Sequence, residues 1–260
     1  MSELVLRELN DGILRLTLND PATRNSLSEL MIEELLAAIK GGPARVIILA
    51  AHGPAFSSGH NLKKITAHRS DADGGRAYFK NLFDACAELM LAIMNHPCPV
   101  IAEIDGLASA AGCQLVASCD LAIATDRSTF CTPGVNIGLF CSTPMVALSR
   151  AVERKHAMEM LLTGDVIPAQ DAVRLGLINR VTSHNELKAV TQELAQKIAS
   201  KSGTAIKIGK QAFNRQAEMP VSDAYAYMTQ VMAENLLEAD AHEGIEAFIQ
   251  KRKPKWRQNL

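Results

Sequence analysis

Few residues in this 260-residue chain have both the chemistry and the setting for catalysis. Glu103 lies in the apolar run 100–104, and Asp105 follows it. An ionisable residue on a buried strand is a candidate for moving a proton. The plainer reading is a strand-end charge that reaches solvent. Cys141 sits in Gly138-Leu139-Phe140-Cys141-Ser142-Thr143-Pro144. Its thiol could line a pocket, but burial raises a thiol's pKa and weakens it as a nucleophile. His60 ends a Gly/Ser-rich stretch that starts at Gly53. The other six histidines show no HxxxH spacing and no His/Asp cluster, so no metal site is expected. Residues 107–117 begin with small side chains (Ala108, Ser109, Ala110, Ala111, Gly112) and run into a helical pattern. That pattern marks a helix whose first turn sits close to another group.

These residues need elements to position them. Apolar runs at 4–9 and 13–18 flank Asn10-Asp11-Gly12, a strong hairpin signal. Ser28 caps a helix to about Lys40, and Gly41-Gly42-Pro43 stops it. The run 45–51 reads as a strand buried on both faces, and 53–60 as a loop. A long helix is predicted over 72–95, then strands at 100–104, 121–124 and 128–132. Beyond Thr143 the periodicity is nearly all helical, with one late strand at 178–181. Strand–helix alternation predicts an α/β fold.

Composition excludes several classes. Apolar residues make up 48% and charged residues 21%, which suits a globular core. The net charge of −1 gives no reason to expect a nucleic-acid partner. The one basic run, 251–255, reads first as a solvated tail. Six cysteines without a CxxC pair suit a reducing compartment better than a disulfide framework. The start carries no signal-peptide or transit pattern, and no apolar run is long enough to span a membrane. The expectation is a soluble cytoplasmic protein.

Three stretches, in order and spacing, resemble the crotonase superfamily, the enoyl-CoA hydratase/isomerase family. They are RVIILAAHGPAFSSGHNL, PVIAEIDGLASAAGCQLVASCDLAIAT and FCTPGVNIGLF. LTLNDPATRNSLS, MLLTGDVIPAQDAVRLGLINRV and EGIEAFIQKRKPKW extend the likeness over almost the whole chain. The resemblance implies a spiral of ββα turns over 1–200 and a helical trimerisation region over 201–260. It also implies a homotrimer or a dimer of trimers, a coenzyme A thioester as ligand, and no permanently bound cofactor. The shared device is an oxyanion hole of two backbone N–H groups, which by position belong to His60 and Ala111. An N–H in the first turn of a helix suits an oxyanion, because it has no intrahelical acceptor and the helix dipole favours negative charge there. For coenzyme A, the resemblance points to Arg24, Ser58, His60, Asn61 and Leu62. It also points to Phe248 and Lys251 reaching a neighbouring subunit's ligand.

The family's hydratases use two glutamates, and this sequence has Gln114 and Gly134 at those positions. An amide has no proton to exchange near pH 7, and glycine has no side chain. Poor hydration is therefore expected, and a Δ3,Δ2-type isomerase is weakened as well. Decarboxylation of a malonyl-type thioester, thioester hydrolysis with Gln114 orienting water, and non-catalytic acyl-CoA binding stay open. Glu103 and Cys141 are carried forward as possible pocket residues.

Overall fold

A computed structural model describes residues 3–257. β1 (Val5–Asn10) and β2 (Ile13–Leu18) form the expected hairpin. Asp11 and Gly12 both take positive φ at its turn. The Ser28 hydroxyl accepts the Met31 N–H and caps α1 (Glu29–Lys40).

From there the chain repeats one unit. A long buried strand enters a large sheet, a short strand enters a small sheet, and helix follows. The first unit is β3 (Val46–Ala51), β4 (Ala55–Ser57), α2 (Leu62–Ala67) and α3 (Arg76–Met94). The second is β5 (Val100–Ile104), β6 (Leu107–Ser109) and α4 (Ala111–Ser118). The third is β7 (Leu121–Thr125), β8 (Thr129–Cys131), α5 (Pro144–Ala151) and α6 (Arg154–Thr163). β9 (Ile167–Pro168), α7 (Ala169–Arg174), β10 (Arg180–Thr182) and α8 (Leu187–Ala199) complete the core. The large sheet runs β1-β2-β3-β5-β7-β10, parallel except for the hairpin. The small sheet runs β4-β6-β8-β9.

Several expectations are corrected. The presumed loop 53–60 contains β4, and the small residues at 107–109 are strand β6, paired with β4 and β8. β4 and β6 are three residues each and show no clear period, whereas β8 (Thr129–Cys131) lies within the strand expected at 128–132. Helix α2 was not anticipated. The helix expected from 72 starts at Arg76, because Gly74 and Gly75 take left-handed φ and Asp73 accepts the N–H groups of Gly75 and Ala77. The late strand lies at Arg180–Thr182 rather than 178–181.

The two faces of the large sheet carry different cores. Leu14, Leu16, Leu49, Ala102 and Ile104 pack with residues of α1, α3 and α4. Ile13, Val46, Ile48 and Ile101 pack under α8 through Ala195. Strand alternation puts Arg15 and Glu103 on this second face. They form a two-pronged ion pair of 2.6 and 3.0 Å, each residue 8% exposed.

Helices α9 (Gly203–Gln216), α10 (Val221–Leu237) and α11 (Ala239–Ile249) follow the core. Lys210 latches α9 to it. Its ammonium lies 2.6 Å from Asp120 Oδ2 and 3.1 Å from the carbonyls of Ile93 and Cys98. Asn214 donates to the Met94 carbonyl at 2.8 Å, so α9 satisfies the C-terminal end of α3. The end of the described chain folds back: Trp256 Nε1 donates to the Ser200 carbonyl, and Arg252 forks onto Glu243.

Removing one partner of the Arg15–Glu103 pair strands a buried charge. Arg15→Met or Glu103→Gln should lower the urea-unfolding free energy by about 3–5 kcal/mol. The apolar double replacement Arg15→Met/Glu103→Leu should recover most of that loss, as read from the same denaturation curves.

Candidate oxyanion site at the start of helix α4

Two segments distant in sequence form one side of the site. The Ser58 N–H donates to the Arg24 carbonyl at 3.0 Å, and the Leu27 N–H donates to the Gly59 carbonyl at 2.9 Å. The Ser57 hydroxyl donates to the Asn25 carbonyl at 2.8 Å. Asn25 is fully buried with φ 52, and its amide donates to the carbonyls of His52 and Ala55. Asn25 and Ser57 were not singled out from the sequence. The available signal was the residue type, since Asn tolerates left-handed φ and carries its own donors.

The other side is the β6–α4 junction. Ser109 pairs with Cys131, the Ala110 N–H donates to the Cys131 carbonyl at 2.9 Å, and the helix begins at the next residue. The whole turn falls on Ala110, at φ 49 and ψ −115. That is a glycine-type conformation, strained for a residue with a Cβ.

Glycines let the two sides meet. A Cβ on Gly59 would lie 2.9 Å from the Ser109 carbonyl oxygen and 3.2 Å from the Ala111 nitrogen. A Cβ on Gly112 would lie 2.3 Å from the Ser57 carbonyl oxygen. The fold thus brings Gly59, and with it the His60 peptide, against the start of α4. Among the described residues, neither the His60 N–H nor the Ala111 N–H donates to a protein acceptor. The first-turn N–H of a helix has no intrahelical acceptor by construction.

Side chains here are also unsatisfied. Among the described residues, two buried side-chain polar atoms lack a partner: His60 Nε2 and Gln114 Oε1. His60 Nδ1 lies 2.9 Å from the Leu27 carbonyl, so it donates and Nε2 holds the lone pair. Burial pushes the His60 pKa below the ordinary histidine value, which favours the neutral ring. Gln114 is 4% exposed and stands one helical turn after Ala111, on the same face of α4. Unpaired buried polar groups each cost about 1–3 kcal/mol, so such atoms call for a partner the fold does not provide.

The remaining candidates sort clearly. Arg24 and Ser58 lie side by side through their backbones, and Arg24 is exposed with φ 58. Asn61 caps α2 by accepting the N–H groups of Lys63 and Lys64, and Leu62 opens that helix half exposed. Gly134 sits in a 3-10 turn, Pro133–Ile137, beside buried Cys141. Glu103 is not part of the site: it is on the α8 face of the sheet, tied to Arg15. Asp105 lies in a surface cluster with Arg127, Thr125 and His184. Phe248 and Lys251 lie at the end of α11, which packs on α9 and α10, and Phe248 is 84% exposed. A cleft of 1440 Å³ opens at the opposite end of α4, between α3, α8 and α9.

With this geometry established, the comparisons are consistent with one another. A family profile for enoyl-CoA hydratase/isomerase matches residues 8–259. The mouse protein named enoyl-CoA hydratase domain-containing protein 3, mitochondrial, is 51% identical over 95% of this chain and 82% of its own length. The Escherichia coli 2,3-dehydroadipyl-CoA hydratase is 30% identical over 98% of both chains. Among solved structures, a Mycobacterium smegmatis enoyl-CoA hydratase superposes with TM-score 0.92 at 45% identity, covering 98% of this chain and 99% of that one. Human enoyl-CoA hydratase domain-containing protein 3 superposes with TM-score 0.91 at 47% identity, covering 97% and 100%.

The Ala110 turn can be tested by itself. Ala110→Gly relieves the positive-φ strain, and thermal or urea unfolding should show a gain of about 1 kcal/mol. An unchanged or lower stability would mean that the turn is not strained.

Proposed function

The chain belongs to the enoyl-CoA hydratase/isomerase family, and from that premise we propose that it binds a coenzyme A thioester with the carbonyl oxygen between the N–H groups of His60 and Ala111. The observation that carries this reading is the pair of N–H groups without acceptors among the described residues, at a point where Gly59 packs against the start of α4. Donors fixed where negative charge develops on an enolate oxygen contribute roughly 10²–10³ in rate, because they need no reorganisation.

Hydration also needs a water deprotonated and a proton delivered. Gln114 and Gly134 supply neither. Each missing acid–base group is worth ~10²–10⁴, so we read the protein as an acyl-CoA binder that hydrates poorly. Decarboxylation of a malonyl-type thioester suits these residues better, since the leaving carboxylate supplies the electrons and the oxyanion hole stabilises them. Thioester hydrolysis, with the unpaired Gln114 amide orienting water, is the other reaction of this kind. Binding without turnover is the second reading, favoured by the double loss at 114 and 134.

For the rest of the ligand, we assign Arg24 to phosphate and Ser58, Asn61 and Leu62 to the adenine and pantetheine. The Asn61 carbonyl oxygen is already used as a cap, so that residue would contribute its amide N–H₂ or its backbone. Phe248 and Lys251 would come from a neighbouring subunit in a homotrimer or a dimer of trimers. The support for assembly is α10, 17 residues long with none buried, which leaves Val221, Tyr225 and Leu237 open.

Calorimetry should show butyryl-CoA binding at least about tenfold more tightly than S-butyl-CoA, the thioether without a carbonyl, since two hydrogen bonds are worth about 1 kcal/mol each. Equal affinities would remove the carbonyl clamp. Crotonyl-CoA hydration, followed by absorbance, should stay near the uncatalysed rate, and rapid turnover would end the poor-hydratase reading. Sedimentation should give three or six times the chain mass, and Lys251→Ala should raise the Kd for acyl-CoA; a monomer that binds unchanged would exclude the intersubunit contact.

A further inference from the structure

The absence of a carboxylate at position 134 is more than a missing side chain. A Cβ on Gly134 would fall 3.0 Å from Cys141 Sγ, 3.0 Å from the Leu139 carbonyl oxygen and 3.3 Å from the Cys141 nitrogen. Separations this short are tighter than packed side chains normally accept. A side chain at 134 would need the Cys141 thiol and the Leu139 carbonyl to give way by a few tenths of an ångström.

Neither wall is free to move away. Behind the 3-10 turn, the Thr132 hydroxyl donates to the Met160 carbonyl at 2.9 Å. Gly164, where α6 ends at φ +67, sits so close that a Cβ there would lie 3.1 Å from Pro133 Cα. In front, the Leu139 N–H donates to the Gly134 carbonyl at 2.9 Å, and the Cys141 carbonyl accepts the Met145 N–H at 2.9 Å. Cys141 is 8% exposed, and burial pushes its thiol pKa up, so it stays a neutral, poorly hydrated group.

We infer that Cys141 has taken the volume of the second acid–base side chain and is a specificity-determining residue: a carboxylate at 134 and a thiol at 141 exclude each other. Restoring glutamates by sequence position alone therefore does not restore hydration, because the thiol bars the carboxylate from the site. This rests on reading 134 as the family's second glutamate position, and the test separates the two ideas.

A melting cycle needs no ligand. Gly134→Ala should lower the Tm by roughly 3–8 °C, and in a Cys141→Ala background the same change should cost clearly less. Crotonyl-CoA hydration is then compared between Gln114→Glu/Gly134→Glu and the triple variant that adds Cys141→Ala. The triple variant should exceed the double by at least about 100-fold. Additive melting shifts would overturn the closure by Cys141, as would a double variant as fast as the triple. Coupled melting with no hydration from the triple would uphold the closure and overturn the reading of 114 and 134 as acid–base positions.

Discussion

The site depends on one constraint: strand β6 becomes helix α4 with no loop between them. The reversal is compressed into Ala110, whose φ of 49 is held by the Cys131 carbonyl on one side and by the helix on the other. Such a junction leaves the first helical N–H without an internal acceptor and fixes its direction by covalent geometry. Strained backbone of this kind persists only where the surroundings over-determine it. Here the surroundings are the paired strands β4, β6 and β8, with Gly59 and Gly112 allowing backbone-to-backbone approach.

Around that junction the fold divides its polar groups into two kinds. On the α8 face of the large sheet, Arg15 and Glu103 satisfy each other in two hydrogen bonds and are chemically inert. On the α4 side, among the described residues, His60 Nε2 and Gln114 Oε1 are acceptors without donors. The first pair is a buried charge pair joined by two hydrogen bonds. The second pair lies next to the two open N–H groups. The proposed function places the thioester carbonyl beside these atoms.

The C-terminal third poses a different problem. Helix α9 is anchored through Lys210 and Asn214, but no residue of α10 is fully buried, and Phe213, Leu237 and Phe248 are largely exposed. Apolar surface of that extent is costly in water. The anchoring holds these helices on the core, and the exposed apolar side chains are the surface that the proposed assembly would cover.

Much of this was legible in the sequence. The Asp11-Gly12 turn, the Ser28 cap and the buried runs at 45–51 and 100–104 are local properties of residue type and period, and the structure forms the turn, the cap and strands at Val46–Ala51 and Val100–Ile104. The ordered motifs pointed to the family and to residues 60, 111, 114 and 134. Strands β4 and β6, the start of α3 behind Gly75 and the position of Glu103 were not legible. Whether Glu103 faces a pocket or an arginine 88 positions away depends on which side of a strand it occupies and what covers that side. The same holds for Cys141, whose proximity to Gly134 arises from a turn closing on itself. Local propensity and periodicity are encoded within a few residues, so the sequence alone determines them. Which face is wet, which atom lacks a partner and which volume is already filled are sums over distant segments, and only the tertiary structure decides them.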